Sequence, residues 1–77
     1  MNKSFIIAQY NHIGGSMEIH VYDDCVDEVD ALLAFAEDEG YHDIPDVGEM
    51  ESPEALDTLL TWFEDMDLST EVKELET

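Results

Sequence analysis

The spacing of apolar residues along the chain changes twice, and each change predicts a different element. Ser4 to Tyr10 (SFIIAQY) is β-branched and aromatic, and Met17 to Tyr22 (MEIHVY) alternates strictly. Met17, Ile19 and Val21 fall on one face, and Glu18, His20 and Tyr22 on the other, which is the outward face in this reading. Both stretches read as strands. Asn11 to Ser16 (NHIGGS) lies between them, and its paired glycines accept the positive φ of a hairpin connection.

From Asp24 the period lengthens to about 3.6, because Cys25, Val29, Leu32, Leu33 and Ala36 recur at helical spacing on one stripe. This predicts a helix from Asp24 to Glu39. Acidic residues crowd its start and Gly40 ends it in a left-handed cap. Tyr41 to Glu51 (YHDIPDVGEME) has no helical period and reads as a loop, with Ile44 and Val47 available to dock on the core or to form a short edge strand. Ser52 then reads as an N-cap followed by Pro53, and Leu56, Leu59, Leu60 and Phe63 form a second stripe. Beyond Leu68, Ser69 reads as the cap of a short third helix carrying Val72 and Leu75, frayed by Glu71, Glu74 and Glu76. A hairpin is marginal alone and each helix buries one stripe, so the expected architecture is a single α+β domain over residues 1–77 of order ββαα, with both helices on one sheet face.

Composition alters this picture through charge. The chain has 77 residues, 21 of them Asp or Glu and two basic, Lys3 and Lys73, for a formal charge of -19. Almost no carboxylate can pair internally, and self-repulsion of this size destabilises a compact state. High charge also marks disorder, but 44% of the residues are hydrophobic and lie in periodic stripes, so a folded domain is expected. A domain this small buries only about 60% of its unfolded surface, which implies modest stability, firmer in salt. Anionic membranes and the phosphates of nucleic acid would repel such a chain. The single cysteine and the absence of any signal-like or spanning apolar run fit a reducing cytoplasm.

Candidate chemistry is sparse. Cys25 among carboxylates has its thiol raised, which argues for an inert core position. His12, His20 and His42 have no HxxxH or HExxH spacing, so no metal site is expected. Asp23 to Asp30 (DDCVDEVD) lacks the alternating oxygens, central glycine and final Glu of a calcium loop. Gly14 and Gly15 lack the flanking motif of a phosphate cradle, and no serine has the context of an acyl-carrier attachment site. No catalytic or cofactor-binding residue emerges, and the chain is expected not to be an enzyme.

The acidic surface is what remains. Asp23, Asp24, Asp27, Asp30, Glu37 and Asp38 gather on or beside the outer face of the first helix, and Asp57, Glu64 and Asp65 on that of the second. Side chains three or four apart on a helix stand about 5–6 Å apart at Cβ, a spacing comparable with that of phosphates along a strand. Two adjacent helices could thus present two rows of fixed negative charge. Phe35 and Trp62 fall at the margins of their stripes, either as core rim or as anchors for a partner.

Small size, extreme acidity and helices with acidic outer faces make the chain resemble the DNA-mimic inhibitors of bacteriophages and mobile elements, which include anti-CRISPR, anti-restriction and uracil-DNA glycosylase inhibitor proteins. The resemblance is one of overall character, with no shared motif, so no residue role transfers by alignment. It implies a stoichiometric inhibitor of a CRISPR effector, restriction enzyme or nuclease, with anti-CRISPR the leading subtype. An immunity or antitoxin-like protein capping a basic nuclease toxin, and an acidic adaptor or ion-binding module, are the alternatives.

Overall fold

The computed structural model describes residues 2–75 and has the order β1 (Lys3–Asn11), β2 (Ser16–Cys25), α1 (Glu28–Asp38), α2 (Ser52–Asp65) and β3 (Leu68–Leu75). The three strands form one antiparallel sheet of order β2-β1-β3. The class is α+β, as the periodicity predicts, with order ββααβ in place of ββαα.

The correction lies at the C-terminus. Leu68 to Leu75 forms a strand on the free edge of β1 instead of a short helix, with Ile7 opposite Val72 and Gln9 opposite Thr70. Two local features decide it. Asp67 adopts a left-handed conformation (φ 61°) that turns the chain sharply after α2, and its N–H donates to the Glu64 carbonyl at 2.9 Å. Leu68, Thr70 and Val72 then point toward the core, where the Gln9 amide donates to the buried Thr70 hydroxyl at 3.0 Å. The spacing of Leu68, Val72 and Leu75 suits a helix as well as a strand, but only the strand satisfies the backbone groups along the edge of β1. Glu76, assigned to the same expected helix, lies outside the described residues.

The first helix begins at Glu28, not Asp24. Cys25 therefore ends β2 and enters the core from the strand. Asp27 is the N-cap: its carboxylate accepts from the Asp30 N–H at 2.9 Å, while the Asp30 carboxylate reaches back to accept from the Val26 N–H at 3.0 Å. At the other end, Gly40 (φ 80°) forms the expected left-handed cap. Its N–H donates to the Glu37 carbonyl and that of Tyr41 to the Ala36 carbonyl, the paired bonds of a Schellman ending. In α2 the N-cap is Glu51, and Ser52 and Pro53 open the helix itself.

Both helices cover one sheet face, over Phe5 and Ile7 of β1 and Tyr22 of β2. They run in the same direction. The Ser52 hydroxyl donates to the Asp27 carboxylate at 3.2 Å between their N-termini, and Phe35 meets Phe63 at 5.9 Å between centroids toward their C-termini. The connection between parallel neighbours must travel back along a whole helix, which is why it is long. Its Val47 is buried and its Ile44 packs against the core.

The strands invert one expectation. His20 and Tyr22 face the helices, and Met17, Ile19 and Val21 face away. Register explains this, because Phe5 opposes Tyr22 and Ile7 opposes His20, so the odd residues of β1 share a face with the even residues of β2.

Replacing Thr70 by Ala should leave the Gln9 amide buried and unpaired, costing about 1–3 kcal/mol in urea unfolding. Lys73→Ala, on the exposed face of the same strand, should change stability by less than about 0.5 kcal/mol. Equal effects would contradict this strand register.

Candidate functional site: an acidic helix end, an open apolar sheet face and a histidine between carboxylates

The candidate acidic residues do not form one continuous row. They fall into three groups with different work to do.

The first group is consumed by the fold. Asp23 accepts from the Ser4 hydroxyl at 2.7 Å, Asp24 (φ 64°) from the Asn2 amide at 2.6 Å, and Asp27 and Asp30 form the α1 cap. The carboxylates of Asp27 and Asp30 sit at the positive end of the α1 dipole, where negative charge is stabilising. This is an ordinary structural use of acidic residues.

The second group is the opposite case. Glu37, Asp38 and Glu39 end α1, Glu64 and Asp65 end α2, and Asp67 follows directly. The helices run parallel, so these carboxylates collect at the negative ends of two aligned dipoles, and neither last turn contains a basic residue. The position is electrostatically unfavourable for the isolated protein by the usual helix-end preference. Neighbouring groups register the field. Tyr22 is pushed up from 10.0 to about 12, by burial first and then by the adjacent Asp38 carboxylate, which favours the protonated phenol. Tyr41 is raised as well, by burial and by Glu39 and Glu18.

The third group flanks Trp62. Asp57, Trp62 and Asp65 line an open groove of about 380 Å³ together with Pro45, Thr58 and Thr61. Trp62 is half-buried, with its ring edge-on to Tyr41 at 5.4 Å and tilted against Phe63 at 4.8 Å. It is thus a rigid aromatic with one side available and carboxylates beside it. Phe35 differs. It is fully buried, ringed by His20 at 5.2 Å, Tyr22 at 6.3 Å and Phe63, and it belongs to the core, where no partner can touch it. An estimate of 100° per residue puts Phe35 at the stripe margin, but the sheet wraps that margin through His20 and Tyr22.

Two further features were not legible in the residue pattern. The outer sheet face is apolar and uncovered: Ile6, Ala8 and Tyr10 of β1 lie beside Met17, Ile19 and Val21 of β2, with Met17 63% and Ile19 61% exposed. Tyr10, Met17, Ala8, Ser69 and Glu71 line a depression of about 240 Å³ on it. The alternation of β2 announces an apolar face but not which side the helices take. The other feature is His20. Its Nε2 stands 3.5 Å from Glu39 Oε1 and 4.0 Å from Glu18 Oε1, is buried, and has no hydrogen-bond partner among the described residues. Glu39 is raised above its ordinary value, by burial first and then by the adjoining Glu18 carboxylate, with His20 pulling in the other direction.

Cys25 is buried and its thiol is raised by burial and by Asp30, Asp24, Asp23 and Asp27, as expected of a thiol among carboxylates. Among the described residues, no helix is long and apolar enough to cross a membrane. The chain matches no protein-family model, no curated protein and no solved structure.

Two measurements check this electrostatic description. The raised Tyr22 phenol contributes stability that is whole below the unfolded-state value of 10.0 and is lost as pH climbs toward about 12. Alkaline unfolding should therefore begin above pH 10, and Tyr22→Phe should shift that transition upward. For Cys25, alkylation in the native protein at mildly alkaline pH should run at least about tenfold slower than in urea, since a thiolate must form and be reached. Equal rates would place the thiol at the surface.

Proposed function

We propose that the chain is a non-enzymatic, stoichiometric inhibitor whose carboxylates occupy the Lys/Arg-lined nucleic-acid groove of another protein. The supporting observation is the electronegative end formed by two parallel helices, where Glu37, Asp38, Glu64 and Asp65 stand exposed with no basic residue in either last turn. A fold optimised for its own stability would place basic residues there, so an external cation-rich surface is the economical reason for the arrangement. Packing of both helices on one sheet fixes the geometry of these charges before binding, which lowers the ordering cost of association. The Trp62 groove adds an aromatic anchor beside the charge, the composition common at the centre of tight interfaces.

Targets of this chemistry are phosphate-reading proteins: a CRISPR effector first, then a restriction enzyme or another nuclease of cytoplasmic defence. The protein would displace nucleic acid without binding it. The uncovered apolar sheet face favours a second reading, an immunity or antitoxin-like cap on a basic nuclease toxin, because such a cap needs a shape-specific surface as well as charge.

The test is competition. A panel of purified CRISPR effectors, restriction enzymes and nuclease toxins would be assayed for nucleic-acid binding with increasing amounts of this protein. Inhibition should saturate at a fixed stoichiometry and weaken steeply as salt is raised. Neutralising Glu37, Asp38, Glu64 and Asp65 together (to Gln, Asn, Gln and Asn) should weaken target binding by roughly tenfold or more while leaving the fold intact or firmer. Asp27→Ala should do the reverse, costing about 1 kcal/mol of stability through the lost cap with little effect on affinity. Simultaneous occupancy of a target by nucleic acid and this protein would rule out the groove-blocking account.

A further inference from the structure

His20 is the one described side chain whose buried polar atom lacks a hydrogen-bond partner, and it points between two carboxylates. Glu18 and His20 are two apart on β2 and therefore share the helix-facing side, while Glu39 is the C-cap of α1 and overhangs the same strand. One ligand atom from each of the three lies within 4.8 Å of the others. The imidazole-to-carboxylate separations of 3.5 and 4.0 Å are too long for an N–H···O hydrogen bond. They are close to a different spacing, because two ligands on a tetrahedral ion at about 2.1 Å each stand roughly 3.4 Å apart.

We propose that Glu18, His20 and Glu39 form a three-ligand site for a divalent ion of the zinc type, with the fourth position open to water or to a donor from a partner. Four physical features converge on it. One nitrogen and two carboxylate oxygens suit zinc better than magnesium, which avoids imidazole. The aromatic contact of His20 with Phe35 at 5.2 Å holds the ring from behind. The carbonyl end of α1 adds negative potential at the same point. An ion there would also neutralise two carboxylates, Glu18 and Glu39, that the fold brings within 4.8 Å of each other. Glu18 and Glu39 remain partly exposed, so an ion can enter from solvent. Binding would staple the edge strand β2 to the end of α1.

The test uses the full chain, stripped of metal and titrated calorimetrically with zinc chloride near neutral pH in excess magnesium. One zinc per chain is expected, with a higher thermal midpoint and, with cobalt as a spectroscopic stand-in, the visible absorption of a low-coordinate nitrogen and oxygen site. Loss of a ligand should weaken binding at least as much as loss of an outer-sphere partner, by roughly 10–100-fold, in both His20→Gln and Glu18→Gln. Glu64→Gln with Asp65→Asn should leave it unchanged. Glu18 is on the exposed part of the strand, so its variant reports on the site even where His20→Gln disturbs the core. No zinc binding, binding abolished by magnesium, or several weak sites indifferent to these two variants would each overturn the assignment.

Discussion

Phe35 and Phe63 are the contact on which the rest of the structure turns. They hold the C-terminal halves of the two helices together over the sheet, and Phe35 carries His20 and Tyr22 against its other side. With the N-termini joined through Ser52 and Asp27, this contact leaves the helices no arrangement but a parallel one. Parallel packing aligns the dipoles, and aligned dipoles decide which acidic residues are stabilised by the fold and which are not. The same ring presses His20 toward the end of α1. Both the electronegative helix end and the histidine between carboxylates are therefore consequences of how one aromatic residue is buried.

The protein has two chemically opposed sides. The helix side is anionic over most of its exposed positions, and it is held rigid by caps that use Asp27, Asp30 and Gly40 for purely structural ends. The sheet side is apolar along β1 and β2, and its exposed charged residues on β3 include both Glu71 and Lys73. A chain with formal charge -19 thus keeps its exposed apolar surface and most of its helix carboxylates on opposite sides. The field of charge acts at long range, whereas apolar surface acts only on contact.

Much of this was legible in the residue pattern. The hairpin, both helices, the Gly40 cap and the loop with its docked Val47 follow from periodicity and from residues whose backbone preferences are strong. The C-terminal strand was not, because Leu68, Val72 and Leu75 fit either period and the deciding partner, the edge of β1, is some sixty residues away, as the separation of Gln9 and Thr70 shows (61 residues). For the candidate site, the concentration of carboxylates was visible, but not its division by role. Asp27 and Asp30 look like surface charge until the capping bonds are seen, and Phe35 looks like a rim residue until the sheet covers it.

The sequence by itself determined the local elements and the charge, because helix caps, turn glycines and hydrophobic period act over a few residues, and charge follows from composition alone. Only the tertiary structure decided which face of β2 is buried, that the helices run parallel, and that Glu18, His20 and Glu39 meet. Each of these depends on register and on packing between segments distant in the chain. A shift of one residue in the pairing of β1 with β2 would turn His20 to solvent and bury Ile19 instead, and no local preference distinguishes the two outcomes.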